Sequence, residues 1–197
     1  MATRGETRAR ILAAAGELFE RQGFHATGMN QILAAGDAPK GSLYFHFPGG
    51  KEQLAAEAVA AAAASSALRF DAFIEEARDP ADMARQVAGH LGRRLVETDF
   101  RRGCPVTAVA LDACDLESVR RSCAGGYQSW IERFAAALRD AGAAPVDAEE
   151  LAVLAVSALE GALVLARVRR DVAPLKSTGE RLAALVAASL PTQTRST

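Results

Sequence analysis

Apolar positions recur at helical spacing almost from the start of the chain. Ile11, Leu12, Ala15, Leu18 and Phe19 fall at i, i+1, i+4, i+7 and i+8, one buried face of a helix from about Glu6 to Gln22. Thr3 stands where an N-cap belongs, and Gly23 where a left-handed C-cap belongs. Phe24 can then fold back onto the apolar face. A second, short helix is expected from Thr27 or Gly28, with Met29, Ile32 and Leu33 facing inward and a stop near Gly36 and Asp37. Gln31 completes a capping box with neither start. Pro39 then opens a third helix, at a position that tolerates proline. It runs through Lys40, Gly41, Ser42, Leu43, Tyr44, Phe45 and His46 to Phe47 and ends at Pro48-Gly49-Gly50. Two short helices joined by a tight turn and packed on a preceding one make the helix-turn-helix plan.

The remaining pattern predicts six more helices. A long one runs from near Lys51 to Glu76 or Ala77, and another from Ala81 to Thr98 after Pro80. A short piece covers Val106 to Asp112 beyond the break at Arg101–Pro105. Leu116 to Ala141 is long and amphipathic, with Val119, Cys123, Tyr127, Trp130, Ile131, Phe134 and Leu138 at helical spacing. Asp147, with Glu150 three residues on, reads as the cap of a helix to about Val168. The last helix spans Leu175 to Leu190. Alanine is abundant and β-branched runs are scarce, so an all-α protein is expected. The expected organisation is a three-helix head at 1–50, a six-helix domain at 51–190 and a polar, disordered tail at 191–197.

Half of the 197 residues are hydrophobic and 24% are charged, as in a soluble globular protein. The net charge of −1 does not mark a nucleic-acid binder. Nor does the head: over residues 1–60, Arg4, Arg8, Arg10, Arg21, Lys40 and Lys51 face Glu6, Glu17, Glu20, Asp37, Glu52 and Glu57. Non-specific attraction to phosphate should be modest. DNA binding here must rest on local geometry, helix dipoles and a few placed cations.

The cysteines, Cys104, Cys114 and Cys123, are odd in number and lack CxxC spacing. They read as free buried thiols in a reducing cytosol, with a thiol redox switch as the alternative. The first residues are charged and lack the apolar core of a signal peptide, so a cytoplasmic location is expected. Residues 55–68 read as the most apolar stretch. They are mainly alanine, contain Glu57 and are broken by Ser65 and Ser66, too weak to span a bilayer, so no membrane partner is expected. His25, His46 and His90 have no metal-ligand spacing, and no GxSxG, P-loop or GxGxxG is present. Asp112, Asp115 and Glu117 read as a solvated helix start. An enzyme, a cofactor and a metal site are therefore not expected.

The informative segment is residues 36–51, GDAPKGSLYFHFPGGK. A recognition helix approaches the DNA backbone closely, and Gly41 and Ser42 are small. Lys40 supplies a cation for a phosphate. Ser42, Tyr44 and His46 can each donate a hydrogen bond to phosphate oxygens. Phe45 can meet a thymine methyl or a sugar. Leu43 and Phe47 are placed to pack inward against Ile11, Leu18 and Ile32. Lys51 joins a cation to a helix N-terminus, and Thr27 stands at the start of the second helix; both positions suit phosphate. The alternative is a surface aromatic cluster, Tyr44-Phe45-His46, that meets a protein partner.

At these residues the chain resembles the TetR family of repressors, whose members share a small residue, Lys-Gly-x-Leu-Tyr-x-His-Phe, and then Lys-Glu. Here that pattern reads Lys40-Gly41-Ser42-Leu43-Tyr44-Phe45-His46-Phe47, then Lys51-Glu52. The resemblance covers residues 7–55. Ala-Pro-Lys-Gly-Ser-Leu-Tyr, Phe-Pro-Gly-Gly-Lys-Glu and Gly103-Cys104-Pro105-Val106 look like the LmrA/YxaF-like subgroup. The resemblance implies phosphate contacts from Thr27, Lys40, Tyr44, His46 and Lys51. It implies base-edge contacts from Ser42 and Phe45, with Ala38 and Pro39 beside them. Two departures stand out. Asp37 occupies the usual turn-glycine position, and the loop before Lys51 is one residue longer than in many relatives.

The resemblance further implies a repressor that binds a palindromic double-stranded operator as a homodimer and is released by a small-molecule effector. Dimerisation also follows from physics, since one helix-turn-helix reads only a few base pairs. Ala152, Ala155, Leu159, Ala162, Leu163 and Ala166 form a stripe that lets helices approach closely. That stripe, with Arg181–Leu190, is expected in a four-helix dimer interface, with an intramolecular core as the alternative. Phe70, Phe73, Met83, His90, Val109, Trp130 and Phe134 are the expected lining for an apolar effector, with plain core as the alternative. A competing reading makes the chain a ligand-binding or protein-interaction module whose head does not engage DNA; the near-neutral head and Asp37 favour it.

Overall fold

Residues 4–191 are described by a computed structural model of the chain. The Thr3 cap and residues 192–197 of the expected tail lie outside them. The described residues form nine helices and no strand: α1 (Arg4–Gln22), α2 (Met29–Ala35), α3 (Ser42–His46), α4 (Gly50–Glu76), α5 (Pro80–Glu97), α6 (Pro105–Ala113), α7 (Glu117–Asp140), α8 (Pro145–Arg169) and α9 (Ala173–Ser189).

Two expected boundaries need correction. Pro39 does not open α3; residues 39–41 form a turn in which the Ser42 N–H and hydroxyl both donate to the Pro39 carbonyl, at 2.9 and 2.6 Å. Asp147 does not cap α8, because Pro145 sits in its first turn and Ala144 is the N-cap, with no side-chain bond.

The chain divides into two compact units. The first comprises residues 1–65 and 102–127, the second residues 66–101 and 128–197. In the first unit α1 packs against α2 and α6. Ile11, Ala15, Phe19, Ile32, Leu43, Phe47, Leu54 and Ala55 are buried there. Phe24 is buried too, its ring 5.8 Å from that of Phe19, as expected of a residue folding back after Gly23. Gly23 adopts φ +81, and Asp112 Oδ2 lies 2.9 Å from where a Cβ would be. The left-handed conformation favours glycine here, and a Cβ would also displace the Asp112 carboxylate. Glu20 is buried on α1 and is held by Arg102, whose Nε donates to Oε2 at 2.6 Å.

In the second unit α5 packs on α9 and α8, and α8 on α9. Its core joins Phe70, Met83, Ala84, Val87, Phe134 and Leu138 to Ala148, Ala152, Ala155, Leu159, Leu182 and Val186. The α8 stripe expected at a dimer interface is thus the intramolecular one: Ala152, Ala155, Leu159, Ala162, Leu163 and Ala166 are all buried within the chain. The other side of the same helix exposes Val153, Leu154, Val164, Leu165 and Val168. α8, rather than residues 55–68, is long and apolar enough by length and composition to cross a membrane. It is apolar on two faces, and one of them fills the core.

Candidate nucleic-acid interface

The turn between α2 and α3 fixes the site. The last turn of α2 closes with the Gly36 N–H on the Ile32 carbonyl at 2.9 Å. A Cβ at Gly36 would lie 3.2–3.3 Å from the α1 backbone at Arg10 and Ile11, so glycine permits this close approach. Asp37 follows at φ +46, the left-handed conformation the turn requires, which aspartate tolerates better than most residues. Arg10 holds it twice: Nη1 donates to the carboxylate at 3.1 Å and Nη2 to the backbone carbonyl at 3.0 Å. The carboxylate that stands in place of the usual glycine thus has its own counter-charge. Arg8 is likewise paired, with Glu57.

α3 presents its two sides differently. Leu43, on α3, and Phe47, just after it, are buried, while Tyr44 and Phe45 are 67% and 60% exposed. The Phe45 and His46 rings meet edge-on at 5.1 Å. Pro39, Lys40 and Gly41 are exposed; Ala38, Ser42 and His46 are half-buried. Ten residues were read from the sequence as DNA contacts, and those from Ala38 to His46 fall on one continuous segment. The inward anchors Leu43 and Phe47 hold that segment while leaving two aromatic rings in solvent, a costly exposure unless something covers them.

Thr27 is a correction. It is fully buried; its hydroxyl donates to the Gly23 carbonyl at 2.7 Å and accepts from Gln22 Nε2 at 3.2 Å. That hydroxyl ties the end of α1 to the start of α2 and is not available at the surface.

Lys51 is half-buried at the start of α4, with Nζ 4.3 Å from the centre of the Phe24 ring. Burial lowers its pKa, and the Asp112 carboxylate opposes the shift. The Gly49 N–H, in the loop just before, is taken by Gln53 Oε1 at 2.7 Å. Asp112 was not expected to matter: it accepts from the His25 N–H at 2.7 Å, so α6 grips the α1–α2 turn. Sequence offered only its place in an acidic run, which reads as solvated.

The residues expected to line an effector site are scattered. Phe70, Met83 and Phe134 lie within the core of the second unit, and Trp130 is also buried there. Phe73 is half-buried beside that core, with its ring 5.5 Å from that of His90. Val109 is buried in the first unit. A cavity of about 480 Å³ lies instead between α5 and α9, lined by Gly89, Gly92, Val96, Val172, Leu175 and Lys176 among others and by none of the seven. Two glycines three apart on α5 were the available signal. Among the described residues no group of three or more His, Cys, Asp or Glu is placed to hold a metal ion.

Comparisons with known proteins follow this geometry. Residues 11–58 match the model of bacterial regulatory proteins of the tetR family, and residues 80–181 match the C-terminal domain of LmrA/YxaF-like transcriptional regulators. An HTH-type transcriptional regulator of Mycobacterium tuberculosis strain H37Rv is 38% identical over 95% of this chain and 98% of its own. YxaF of Bacillus subtilis is 35% identical over 94% and 98%, and LmrA of the same organism 35% over 87% and 92%. Both are HTH-type transcriptional regulators. Among solved structures, a TetR regulator of Chloroflexus aurantiacus superposes with a TM-score of 0.79 at 27% identity, over 96% of this chain and 98% of that one. The regulatory protein TetR of Rhodobacter sphaeroides reaches 0.81 at 24% identity, over 89% and 96%, and supports the fold.

Proposed function

The chain belongs to the TetR family of bacterial transcriptional regulators, in its LmrA/YxaF-like group, and from that premise we propose a dimeric repressor that a small apolar effector releases from a palindromic operator. One observation carries the DNA-facing part of this reading. Tyr44 and Phe45 stand in solvent on a helix whose other side is fully buried, beside exposed Lys40 and half-buried Ser42 and His46. Lys40, Tyr44, His46 and Lys51 take phosphates; Ser42 and Phe45, with Ala38 and Pro39, approach base edges; Gly41 leaves room for the backbone. Gel-shift titration of the DNA flanking the protein's own gene tests this. Lys40→Ala and Tyr44→Ala should each weaken binding clearly, and wild-type affinity in both would sink the assignment.

The exposed aliphatic face of α8, Val153, Leu154, Val164, Leu165 and Val168, together with Leu185 of α9, supports the dimer. A second copy of the same face covers it, and two heads then reach two half-sites about one helical turn, ~34–36 Å, apart. Phe73 and His90 are the best-supported effector contacts, because they remain half-buried at the edge of an otherwise closed core. The single tryptophan, Trp130, is a ready reporter. Its fluorescence should change in a saturable way with an apolar aromatic probe such as 2-naphthol, and Phe73→Ala should weaken the response.

A further inference from the structure

Two sequence expectations give way outside the head. Cys114, read as buried, is exposed where α6 ends, while Cys104 and Cys123 are buried. The cavity of about 480 Å³ lies between α5 and α9 rather than among the expected aromatic residues. All of its lining belongs to the second unit.

Local packing shapes this cavity. The two helices run antiparallel: Arg85 Nε donates to Glu180 Oε2 at 2.9 Å toward one end, and Gly92 lies against Val172, the N-cap of α9, toward the other. Between these points a Cβ on Gly179 would fall 2.6 Å from the Ala88 Cβ, so glycine lets α9 close on α5 and seal the floor. Gly89 is exposed and brings no side chain of its own. The Arg93 guanidinium folds back over it, with Nη1 3.5 Å from where a Gly89 Cβ would be. Val96, 59% exposed, and half-buried Val172 continue the apolar surface. On α5 the lining spans residues 85–97, ~18 Å of helix at ~1.5 Å per residue.

The charges around this floor are unequal. Arg85 and Glu180 neutralise each other. Among the described residues neither Arg93 nor Lys176 has an ion-pair partner, and both are exposed. Glu97 is the remaining carboxylate of the lining, so two free cations face one anion.

We propose that this groove binds an amphipathic anion, an aliphatic chain ending in a carboxylate. Arg93 and Lys176 take the carboxylate, and the chain lies along Gly89, Gly92, Val96 and Val172. A guanidinium and an ammonium make charge-assisted hydrogen bonds to a carboxylate, and each methylene laid on the floor adds apolar burial. A small inorganic anion would satisfy the cations but leave the aliphatic floor wet. A neutral hydrocarbon would cover the floor and leave the cations without a counter-charge. The site is separate from the effector contacts proposed at Phe73 and His90, neither of which lines it, and it does not rest on the repressor reading.

The probe is decanoate, titrated into the full-length protein by isothermal calorimetry below its micelle concentration. Saturable binding is expected. Acetate, which lacks the chain, and decyltrimethylammonium, which reverses the charge, should bind about tenfold more weakly or worse. Arg93→Gln with Lys176→Gln should weaken decanoate binding about tenfold. Glu97→Gln should tighten it roughly threefold, since an exposed repulsive charge is removed. Gly89→Leu fills the floor at an exposed position where leucine favours the helix, and should abolish binding. Phe73→Ala should leave it unchanged. The proposal is overturned if decanoate does not saturate, if the cationic detergent binds equally well, or if binding survives Gly89→Leu but not Phe73→Ala. A Gly89→Leu chain that no longer dimerises by sedimentation velocity would also overturn it, because a second copy would then be the occupant of the groove.

Discussion

Helices α3 and α8 both leave large apolar side chains in solvent, but in different company. On α3 the exposed rings of Tyr44 and Phe45 stand among a lysine, a serine and a histidine. On α8 the large exposed apolar residues are all aliphatic, valines and leucines repeated along the helix. In each case the opposite side of the helix is buried, so the fold is satisfied without the exposed one. Mixed donors and rings suit a polar, charged partner with apolar sugar and methyl patches; a largely aliphatic face suits a copy of itself.

The sharpest way to break this contrast is to exchange inward for outward positions on one helix. Phe47→Ala should cost about 3–5 kcal/mol of stability and melt the head, seen as a lower urea midpoint. Phe45→Ala should leave the midpoint within about 0.5 kcal/mol of wild type. A large stability loss from Phe45→Ala would mean that its ring is structural. Next comes α8: Leu154→Glu with Leu165→Glu should give a monomer by sedimentation velocity. It should lose about two orders of magnitude in affinity for a two-half-site fragment, as expected when linked sites become independent. A dimer that survives both charges would remove the copy-on-copy reading.

Smaller effects sharpen the polar side. Lys40→Ala should weaken binding to all sequences alike and reduce the slope of log K against log salt by about 1 per head. The wild-type slope should itself be shallow, because Arg8 and Arg10 are engaged by Glu57 and Asp37. The mildest effect is expected from His90, far from either face in sequence. Burial, then Arg69, Arg94 and Arg93, lower its pKa to about 4 from 6.5. Between those values the unfolded chain binds the proton more readily. The stability contribution is therefore fully present above pH 6.5 and is lost as pH falls through the window toward 4. Urea midpoints at pH 7 and pH 5 should differ less in His90→Leu than in wild type.

Sequence periodicity was a good guide wherever one face of a helix is buried, as along α1 and α7. The inward placing of Leu43 and Phe47 was legible too, and both are buried. Periodicity failed where a residue's partner is distant in sequence. Thr27 was read as a surface hydroxyl although Gly23 and Gln22 hold it inside. Asp112 was read as solvated although it clasps the His25 amide. On α8 the stripe was legible but its partner was not, since the outward side is also largely apolar, with Glu150 and Ser157 among its few polar positions. Cys114 was read as buried by its residue type, yet it falls at the end of a helix, where side chains reach solvent.

The internal pairing of Arg8 and Arg10 bears on how the protein travels in the cell. A DNA-binding surface with few free cations is held only briefly by arbitrary chromosome. Little of the pool is trapped on random sequence, so a small number of molecules can find and occupy a rare site. Such a protein trades the guided, sliding approach of strongly basic binders for a search made largely through free diffusion.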